Sequence, residues 1–273
     1  MLPLKLGGCV ESTARVHLYD FIVTSKAELA EEIWRVVICS PELSRTLRAG
    51  QFINVDVPGD RSQLLRIPLS FASIDQMAGE IELVVATVGD GTRRLAAMAV
   101  GQGSTVVGPC GNGWRLPRSE ESRVLLVAGG VGIVPLLAAG RELAQKGIAF
   151  EAVIGARSAS QLWGEQEFMD IGASSVLVCT DDGSKGFHGF TTQALQATDL
   201  TPFSLIMSCG PAPMMAGVAA CAHKAHVFCQ VSLEQMMSCG FGACHTCNVA
   251  MVAGGYKFCC TDGPVFNAEE VLW

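Results

Sequence analysis

The chain has 273 residues, of which 49% are apolar, 16% are charged and 12 are cysteines, and its formal net charge is −7. This length has room for one to three domains, each with its own hydrophobic core. The acidic balance argues against a nucleic-acid partner, which requires a basic face. Residues 1–8 lack the apolar stretch of a signal peptide. Because cysteines that are not exported stay reduced, we expect a cytoplasmic protein.

Short strand-like runs separated by turn residues occupy residues 1–117, the first expected domain. They predict a β-sandwich or a β-barrel. The runs are residues 33–38, 52–57, 81–85 and 104–107.

Two motifs in this part suit an anionic, planar cofactor. Arg66 and Ser70 lie in the run RIPLS, where a guanidinium and a hydroxyl can hold such a ligand. Gly91 and Thr92 belong to a Gly-Thr turn, which offers N–H and O–H donors to phosphate. Either motif alone is more often an ordinary strand or turn.

Residues 118–221 change to a rhythm of apolar strands and helices, which predicts a parallel, doubly wound sheet. The strands are expected at residues 124–128, 150–154, 175–180 and 205–208, with a helical stretch at residues 136–146.

The segment Val124–Gly140 imitates a membrane helix because it is almost wholly apolar. It is shorter than the roughly 20 residues that a span needs, and its middle holds three glycines and a proline. We therefore favour a buried strand, a glycine turn and a helix that begins near Ile133, and we expect no membrane partner.

Two glycine turns follow strands of this sheet, at residues 128–135 and 208–215. Glycines let a backbone approach a pyrophosphate, and a helix N-terminus favours its charge. Ligands of such sheets bind at the carboxyl ends of strands, so both turns are expected to face one crevice. Taken alone, the first turn is also typical of glycine packing, and Cys209 is also typical of a buried thiol.

From residue 222 the composition shifts to cysteine, glycine and methionine. Cys239, Cys244 and Cys247 have the C-x4-C-x2-C spacing of plant-type [2Fe–2S] ligands, which a distant fourth cysteine completes. Gly240 and Gly242 allow this loop to curl, because glycine tolerates positive φ. Four thiolates also suit Zn²⁺.

The fourth ligand is one of two adjacent cysteines, Cys259 and Cys260. Neighbouring side chains of an extended segment point to opposite faces, so only one of the two should face the cluster. Spacing alone does not choose between them. His245 lies inside the loop, but a single histidine beside a complete cysteine set is more typical of a neighbour than of a Rieske ligand.

The motifs resemble, in their order along the chain, those of the ferredoxin–NADP reductase superfamily. More closely, they resemble those of the electron-transfer subunits of dihydroorotate dehydrogenase B. The motifs are RIPLS, GDGT, GPCGNGW, AGGVGIVP, GARS, TDDGS, CGPAPMM and the cysteine cluster with its ending CTDGPVF. The resemblance covers nearly the whole chain, and its match at the ending favours Cys260 over Cys259.

This resemblance implies an FAD-binding β-barrel over residues 1–117, an α/β doubly wound nicotinamide-nucleotide-binding domain over 118–221 and a small [2Fe–2S] domain over 222–273. The residues implied for FAD are Arg66, Ile67, Pro68, Leu69, Ser70, Val84, Val85, Ala86, Gly91 and Thr92. Those implied for the nucleotide are Gly129, Gly130, Gly132, Cys209, Gly210 and Pro211. Those implied for the cluster are Cys239, Cys244, Cys247 and Cys260.

The chain departs from the superfamily at one position. The superfamily usually has arginine three residues before the flavin-binding serine, where this chain has Ile67, and Arg66 lies one step further back. One step along a strand reverses the face, which leaves a contact between Arg66 and the FAD pyrophosphate open.

The resemblance implies an electron relay in pyrimidine biosynthesis. FAD would exchange a hydride with NAD(H) and single electrons with the cluster, which would exchange them with a partner. The implied partner is the FMN-containing catalytic subunit of dihydroorotate dehydrogenase, in a heterotetramer. We expect no catalytic side chain, because the cofactors supply the chemistry.

Other interpretations remain open at this point. One is the small flavin and iron–sulfur subunit of an NADPH–ferredoxin oxidoreductase or of a sulfhydrogenase. Another, of a different class, is a structural zinc-binding interaction module. The choice of nucleotide is open as well, because Asp181 and Asp182 disfavour a 2′-phosphate, whereas Arg157 and Ser158 favour one.

Overall fold

The computed structural model describes residues 16–59 and 64–273. Residues 1–15 and 60–63 of the first expected domain lie outside the described residues.

A curled antiparallel sheet forms the first unit. Its strands are β1 His17–Ala30, β2 Ile33–Cys39, β3 Phe52–Val55, β4 Ile67–Ser70, β5 Ser73–Asp75, β6 Glu80–Ala86 and β7 Gly103–Cys110. The seven strands pair in the order β4-β3-β7-β1-β2-β6-β5. β4 also approaches β6, so the sheet curls into the barrel that the sequence predicts. Two helices, α1 Pro41–Ser44 and α2 Asp90–Ala97, lie against β6.

The helix α2 differs from the sequence expectation of a Gly-Thr turn at Gly91 and Thr92. Both residues lie in its first turn, because the chain is extended at Gly89 and becomes helical at Asp90. Leu95, in the second turn, is fully buried. Burial of this apolar side chain stabilises the segment as a helix rather than as a turn.

The second unit alternates strands with helices, as predicted. Its strands are β8 Arg123–Gly129, β9 Ala149–Ala156, β10 Val176–Thr180, β11 Phe187–His188, β12 Leu205–Cys209 and β13 Phe228–Ser232. Its helices are α3 Ile133–Gln145, α4 Glu165–Asp170, α5 Thr191–Gln196 and α6 Ala212–Lys224. Short 3-10 turns lie at Gly130–Gly132 and Ala159–Gln161.

The end of the chain adds the strands β14 Asn248–Ala250, β15 Tyr256–Phe258 and β16 Val265–Asn267, and a 3-10 turn at Ala268–Glu270. β14 and β15 pair as an antiparallel ribbon. The second sheet has the order β11-β10-β9-β8-β12-β13-β16. Its strands are parallel except for β16, which is antiparallel to β13.

The expected domain boundary at residue 221 does not coincide with the end of this sheet. β13 and β16 both follow that residue, and both are hydrogen-bonded strands of the second sheet. The run Phe228–Ser232 is a short strand buried between neighbours on both edges, and the shift toward cysteine obscures it in the sequence. We therefore propose that the cysteine unit begins after Ser232.

The strand β8 explains how the units share their cores. Val124, Leu126 and Ala128 point into a core that continues into the barrel, whereas Leu125 and Val127 point into a second core. That second core reaches the cysteine unit. The alternation follows from the two-residue period of a strand. Both faces of the sheet are thus covered, which explains the unbroken apolar run.

No helix in the described part of the chain is long and apolar enough to cross a membrane. The segment Val124–Gly140 consists of most of β8, a 3-10 turn and the first part of α3.

The turn that ends the barrel docks onto the C-terminal segment. The backbone N–H of Gly111 donates to the carbonyl of Cys260 at 3.0 Å, and that of Asn112 donates to the carbonyl of Gly263 at 2.5 Å. A side chain at position 111 would not fit, because its Cβ would lie 2.5 Å from the Gly263 oxygen. The barrel and the segment that carries Cys260 are therefore held in direct backbone contact.

The side chain of Asn112 strengthens this contact. Its Nδ2 donates to the carbonyls of Asp262 at 2.7 Å and of Val265 at 3.0 Å, and its Oδ1 accepts from the N–H of Val265 at 3.1 Å. One amide thereby fixes both sides of the turn that precedes β16.

Replacing Asn112 with alanine removes these three hydrogen bonds. Since each contributes roughly 0.5–1.5 kcal/mol net, we expect Asn112→Ala to lower the free energy of unfolding by about 1.5–4.5 kcal/mol. Chemical denaturation measures the change. Gln166→Ala, which removes an exposed bond to Asp170, is the control and should change the value by less than about 0.5 kcal/mol. Equal stability of Asn112→Ala and the parent chain would contradict the role of this contact.

Candidate flavin, nucleotide and iron–sulfur sites

The candidate flavin strand β4 lies at one edge of the barrel sheet, and all four of its residues are half-buried. On the neighbouring strand β3, Phe52 is opposite Ser70 and Asn54 is opposite Pro68. Ile67–Ser70 therefore present an accessible surface beside the core, as binding of a flat ligand requires.

The other residues implied for FAD differ in how far they are buried. On β6, Val84 and Val85 are buried in the core. Ala86, which follows them, is half-buried. The hydroxyl of Thr92 accepts the N–H of Gly89 at 3.1 Å, which caps α2. The N-terminus of α2 still favours an anion such as phosphate through its free N–H groups and its dipole.

Arg66 is bound to the barrel itself. Its Nη1 donates to the carbonyl of Thr105 and its Nη2 donates to the Thr105 hydroxyl, each at 2.9 Å. The guanidinium thus ties the start of β4 to β7. A contact between Arg66 and the FAD pyrophosphate stays a prediction.

The two glycine turns of the second unit touch each other. β8 and β12 are neighbours in the sheet, with Ala128 opposite Cys209, and the strand order reverses between them. A Cβ on Gly132 would overlap the carbonyl oxygen of Cys209, and one on Gly129 would lie 3.0 Å from Cδ of Pro211. The turns therefore form one crevice at the topological switch point, where ligands of such sheets bind.

Two further features suit this crevice to a dinucleotide. Gly130 has φ +57°, and a Cβ there would meet nothing within 4 Å, so its backbone is open to a ligand. The helices α3 and α6, of 13 residues each, begin directly after the turns. Their N-termini favour the negative charge of a pyrophosphate.

Cys209 is not a reactive thiol. Although the residue is partly exposed, protein atoms surround its sulfur. Burial raises the pKa of the Cys209 thiol to about 12, and the Glu234 carboxylate adds to the shift. The group is therefore neutral at physiological pH and suits contact with a ligand rather than nucleophilic chemistry.

The residues that bear on nucleotide choice meet at the ends of β9 and β10. Asp182 accepts hydrogen bonds from the N–H of Ser184 at 2.9 Å and from its hydroxyl at 2.6 Å. The Ser184 hydroxyl in turn accepts the N–H of Ala159 at 2.7 Å. The hydroxyl of Ser184 is the main cause that lowers the pKa of Asp182. Asp182 is therefore a fixed, ionised carboxylate on the same edge as Arg157.

The cysteine loop is folded around the sulfur of Cys239. This Sγ accepts N–H groups from Ala243 at 3.3 Å and from Cys244 at 3.4 Å. The curl depends on Gly240 and Gly242, whose φ angles are +78° and +87°. Backbone N–H groups aimed at a thiolate sulfur are the arrangement that an iron–sulfur cluster needs, because they stabilise its negative charge.

The adjacent cysteines point in different directions. The Cys259 thiol donates to the carbonyl of Leu233 at 3.7 Å, inside the core. The Cys260 thiol lies within electrostatic reach of Cys247 and Cys239, whereas the Cys259 thiol lies within reach of Cys247 and Cys260. Burial, together with the neighbouring Cys247, raises the pKa of Cys260 to about 12. This placement supports Cys260, rather than Cys259, as the fourth ligand.

Cys244 is the exposed member of the four proposed ligands. Its side chain is exposed, and the hydroxyl of Thr246 donates to its Sγ at 3.2 Å, which lowers the pKa of Cys244 to about 6. Within residues 16–59 and 64–273, no three metal-ligating side chains stand together at binding distance. The donor set of four thiols fits a [2Fe–2S] cluster. The ring of His245 stacks on Phe258 with centroids 4.4 Å apart.

Three residues near the cysteine loop have roles that the sequence does not predict. They are Asn54 on β3, Cys110 at the end of β7, and Asn112 in the following turn. Asn54 is the one polar residue in the buried run Phe52–Val55, and this is the signal available in the sequence.

Comparisons with known proteins agree with this arrangement. A family profile described as the oxidoreductase FAD-binding domain matches residues 20–114. A second, described as the iron–sulfur cluster binding domain of dihydroorotate dehydrogenase B, matches residues 234–272. The dihydroorotate dehydrogenase B (NAD(+)) electron transfer subunit of Shouchella clausii is 36% identical over 255 residues, which are 92% of this chain and 96% of that one. The corresponding subunit of Geobacillus kaustophilus is 36% identical over 254 residues, with the same coverage.

The chain belongs to the family of dihydroorotate dehydrogenase B electron transfer subunits. The FAD unit and the iron–sulfur unit predicted from the sequence are thereby confirmed, and the zinc-module interpretation is set aside. All four proposed cluster ligands lie within the matched residues 234–272. Which individual residues contact each cofactor stays a prediction.

Solved structures of related fold extend the comparison. The structure of an NADH-dependent reduced ferredoxin–NADP oxidoreductase, described in connection with flavin-based electron bifurcation, matches with a TM-score of 0.83 and 34% identity. That match covers 92% of this chain and 89% of the other. The cytochrome b5 reductase domain of Ulva prolifera nitrate reductase matches with a TM-score of 0.61 and 17% identity, over 77% of this chain and 92% of that domain. The second match shows the shared fold alone.

The choice of fourth ligand is testable with a matched pair of substitutions. Cys260→Ser should abolish or strongly reduce the iron content and the visible absorbance, because it removes a thiolate ligand. Cys259→Ser should keep both, because its thiol faces Leu233. Iron and sulfide analysis of the purified variants measures the difference. Loss of the cluster in Cys259→Ser together with retention in Cys260→Ser would reverse the assignment.

The contact between the two glycine turns is testable through nucleotide binding. Gly132→Ala places a methyl group against the Cys209 backbone, which cannot move without displacing β12, so we expect the Kd for NADH to rise at least about tenfold, equivalent to ~1.4 kcal/mol. Gly89→Ala is the control, because a Cβ there meets nothing within 4 Å. Calorimetric titration measures both. Unchanged affinity in a folded Gly132→Ala protein would contradict the crevice.

Proposed function

We propose that this chain transfers electrons between a dihydroorotate dehydrogenase catalytic subunit and NAD, as the names of its relatives indicate for those proteins. The observation that carries the proposal is the backbone contact between Gly111 and Cys260. It joins the segment of Cys260 to the barrel, and the candidate nucleotide crevice opens in the adjoining sheet. A flavin site, a nucleotide site and a cluster site thus lie in one packed unit.

The chain's own residues would bind and orient the cofactors and exclude water from them. Ile67–Ser70 and the N-terminus of α2 would hold FAD, and the two glycine turns would hold the nicotinamide nucleotide. The four cysteines would hold the cluster. When bound, FAD supplies the conversion between two-electron transfer with the nucleotide and one-electron transfer with the cluster. No side-chain acid or base is needed for hydride transfer, and we propose none.

The surface around the cysteine loop supports a partner at this end of the chain. Met236 and Phe241 flank Cys239 and are 78% and 53% exposed. Exposed apolar side chains next to a redox site are typical of a protein–protein contact. We propose that the catalytic subunit with FMN binds here, and that two copies of each chain form a heterotetramer.

Further parts of the proposal rest on the thiols and on Asp182. All eleven cysteines of the described residues are free thiols, which supports a reducing cytoplasmic location. The fixed carboxylate of Asp182 disfavours a 2′-phosphate, which supports NADH rather than NADPH. The pathway that we propose is pyrimidine biosynthesis, because dihydroorotate oxidation yields orotate.

A second candidate is a subunit of a ferredoxin–NADP oxidoreductase. The observation that favours it is the 34% identity and TM-score of 0.83 to the NADH-dependent enzyme of that type. The two candidates share flavin, nucleotide and cluster sites, so only the partner and its substrate separate them.

The decisive experiment combines this chain with an FMN-containing dihydroorotate dehydrogenase subunit. With dihydroorotate and NAD, the complex should form orotate and NADH in equal amounts, and its mass in solution should equal two copies of each chain. Orotate formation without NADH would contradict the relay. NADPH-dependent reduction of ferredoxin, with no dihydroorotate activity, would favour the second candidate.

A further inference from the structure

The strand β3 carries a buried polar side chain between the flavin strand and the cysteine loop. Asn54 is 1% exposed and sits in the otherwise apolar run Phe52–Val55. It is opposite Pro68 on the flavin strand β4 and opposite Val107 on β7. A buried amide in such a strand costs free energy unless it makes hydrogen bonds.

The cysteine loop packs directly on this amide. A Cβ on Gly240 would overlap Nδ2 of Asn54 and would lie 3.6 Å from Sγ of Cys110. Only glycine permits the approach, because any side chain would collide with the amide. The loop between Cys239 and Cys244 therefore packs on Asn54. This residue lies on β3, the strand that pairs with the candidate flavin strand β4.

A fifth thiol completes this contact. Cys110 is fully buried, and Nδ2 of Asn54 lies 3.8 Å from its sulfur in donor geometry. Gly111, the next residue, donates its backbone N–H to the carbonyl of Cys260 at 3.0 Å, and a Cβ on Gly240 would lie 3.6 Å from the Cys110 sulfur, which places Cys110 beside the segments that carry two of the proposed ligands. The Cys110 thiol in turn donates to the carbonyl of Val107 at 3.6 Å, so it accepts from Asn54 and orients that amide.

We propose that Asn54 and Cys110 are positioning residues that hold the cysteine loop on the flavin barrel and raise the reduction potential of the cluster. The inference rests on the cluster assignment made under the proposed function. Reduction adds negative charge to a cluster, and nearby hydrogen-bond donors stabilise that charge. The effect is larger in a buried site, where the dielectric constant is low.

A purely structural role would not explain the choice of residues. Among the described residues, the hydrogen-bond partner of the Asn54 amide is the sulfur of Cys110, which is a weak acceptor. An aliphatic side chain would suit the strand better if stability alone mattered. The amide instead lies against the cysteine loop at Gly240, and the thiol that accepts from it lies beside the same loop.

The test is a redox titration of the cluster-loaded chain followed by EPR and visible absorbance. Asn54→Leu should lower the ratio of reduced to oxidised cluster at a fixed potential about tenfold, which is about 59 mV for one electron. The FAD midpoint should shift much less. Cys110→Ala should lower the cluster potential in the same direction, and it keeps the test valid if Asn54→Leu does not fold.

The matched control is Gln230→Met. Gln230 is also a fully buried amide, but it bonds the backbone of Arg115 at 2.8 and 3.1 Å. This variant should be less stable and keep the parental cluster potential. Unshifted potentials in folded Asn54→Leu and Cys110→Ala would overturn the inference while leaving the relay intact. Absence of a [2Fe–2S] signal from the parent chain would overturn both the cluster assignment and the inference.

Discussion

The hydrogen bond from the backbone of Gly111 to the carbonyl of Cys260 joins the two parts of the chain on which the function depends. It fixes the segment of Cys260, the candidate fourth ligand, against the barrel that carries β4. Asn112 then secures the turn before β16, which returns to the edge of the second sheet. The cysteine unit is therefore attached to both other units, although it follows them in sequence.

A second constraint is steric and lies at the nucleotide crevice. Gly132 leaves room for the backbone of Cys209, so two turns that are far apart in sequence can close around one ligand. The helices α3 and α6 then begin at the same edge of the sheet. The same principle acts at Gly240, where the absence of a side chain lets the cysteine loop reach Asn54. Close backbone approach thus shapes both sites.

Much of the fold is visible in the sequence because its signals are local. The run at residues 124–128 is apolar on both faces, and the cysteines at residues 239–247 have the spacing of plant-type [2Fe–2S] ligands. β1 has no clear sequence signal because most of its residues are exposed, with Phe21 and Val23 buried among polar neighbours. The change in composition at residue 222 assigns β13 to the cysteine unit. Its pairing with β12 is a tertiary contact, which composition does not reveal.

The site residues show the same division between local and distant information. The motif ending at Ser70 predicts a flavin-binding strand; the structure has a strand of half-buried residues there, and the flavin contact stays a prediction. The partner of Arg66 is Thr105, on a strand that no local pattern connects to it. The role of Asn54 depends on Gly240, which lies far along the chain and meets it only after folding. Such contacts are determined by packing, so the sequence signals a buried amide but not its neighbour.

The core that runs from the barrel through β8 into α3 also limits how the molecule can move. A hinge between the flavin unit and the nucleotide unit would expose that continuous apolar surface to water, which is unfavourable. We therefore expect the separations between the three candidate sites to be set when the chain folds. Exchange with solvent is then left to the nucleotide, which has to enter and leave its crevice while the three packed units keep their arrangement.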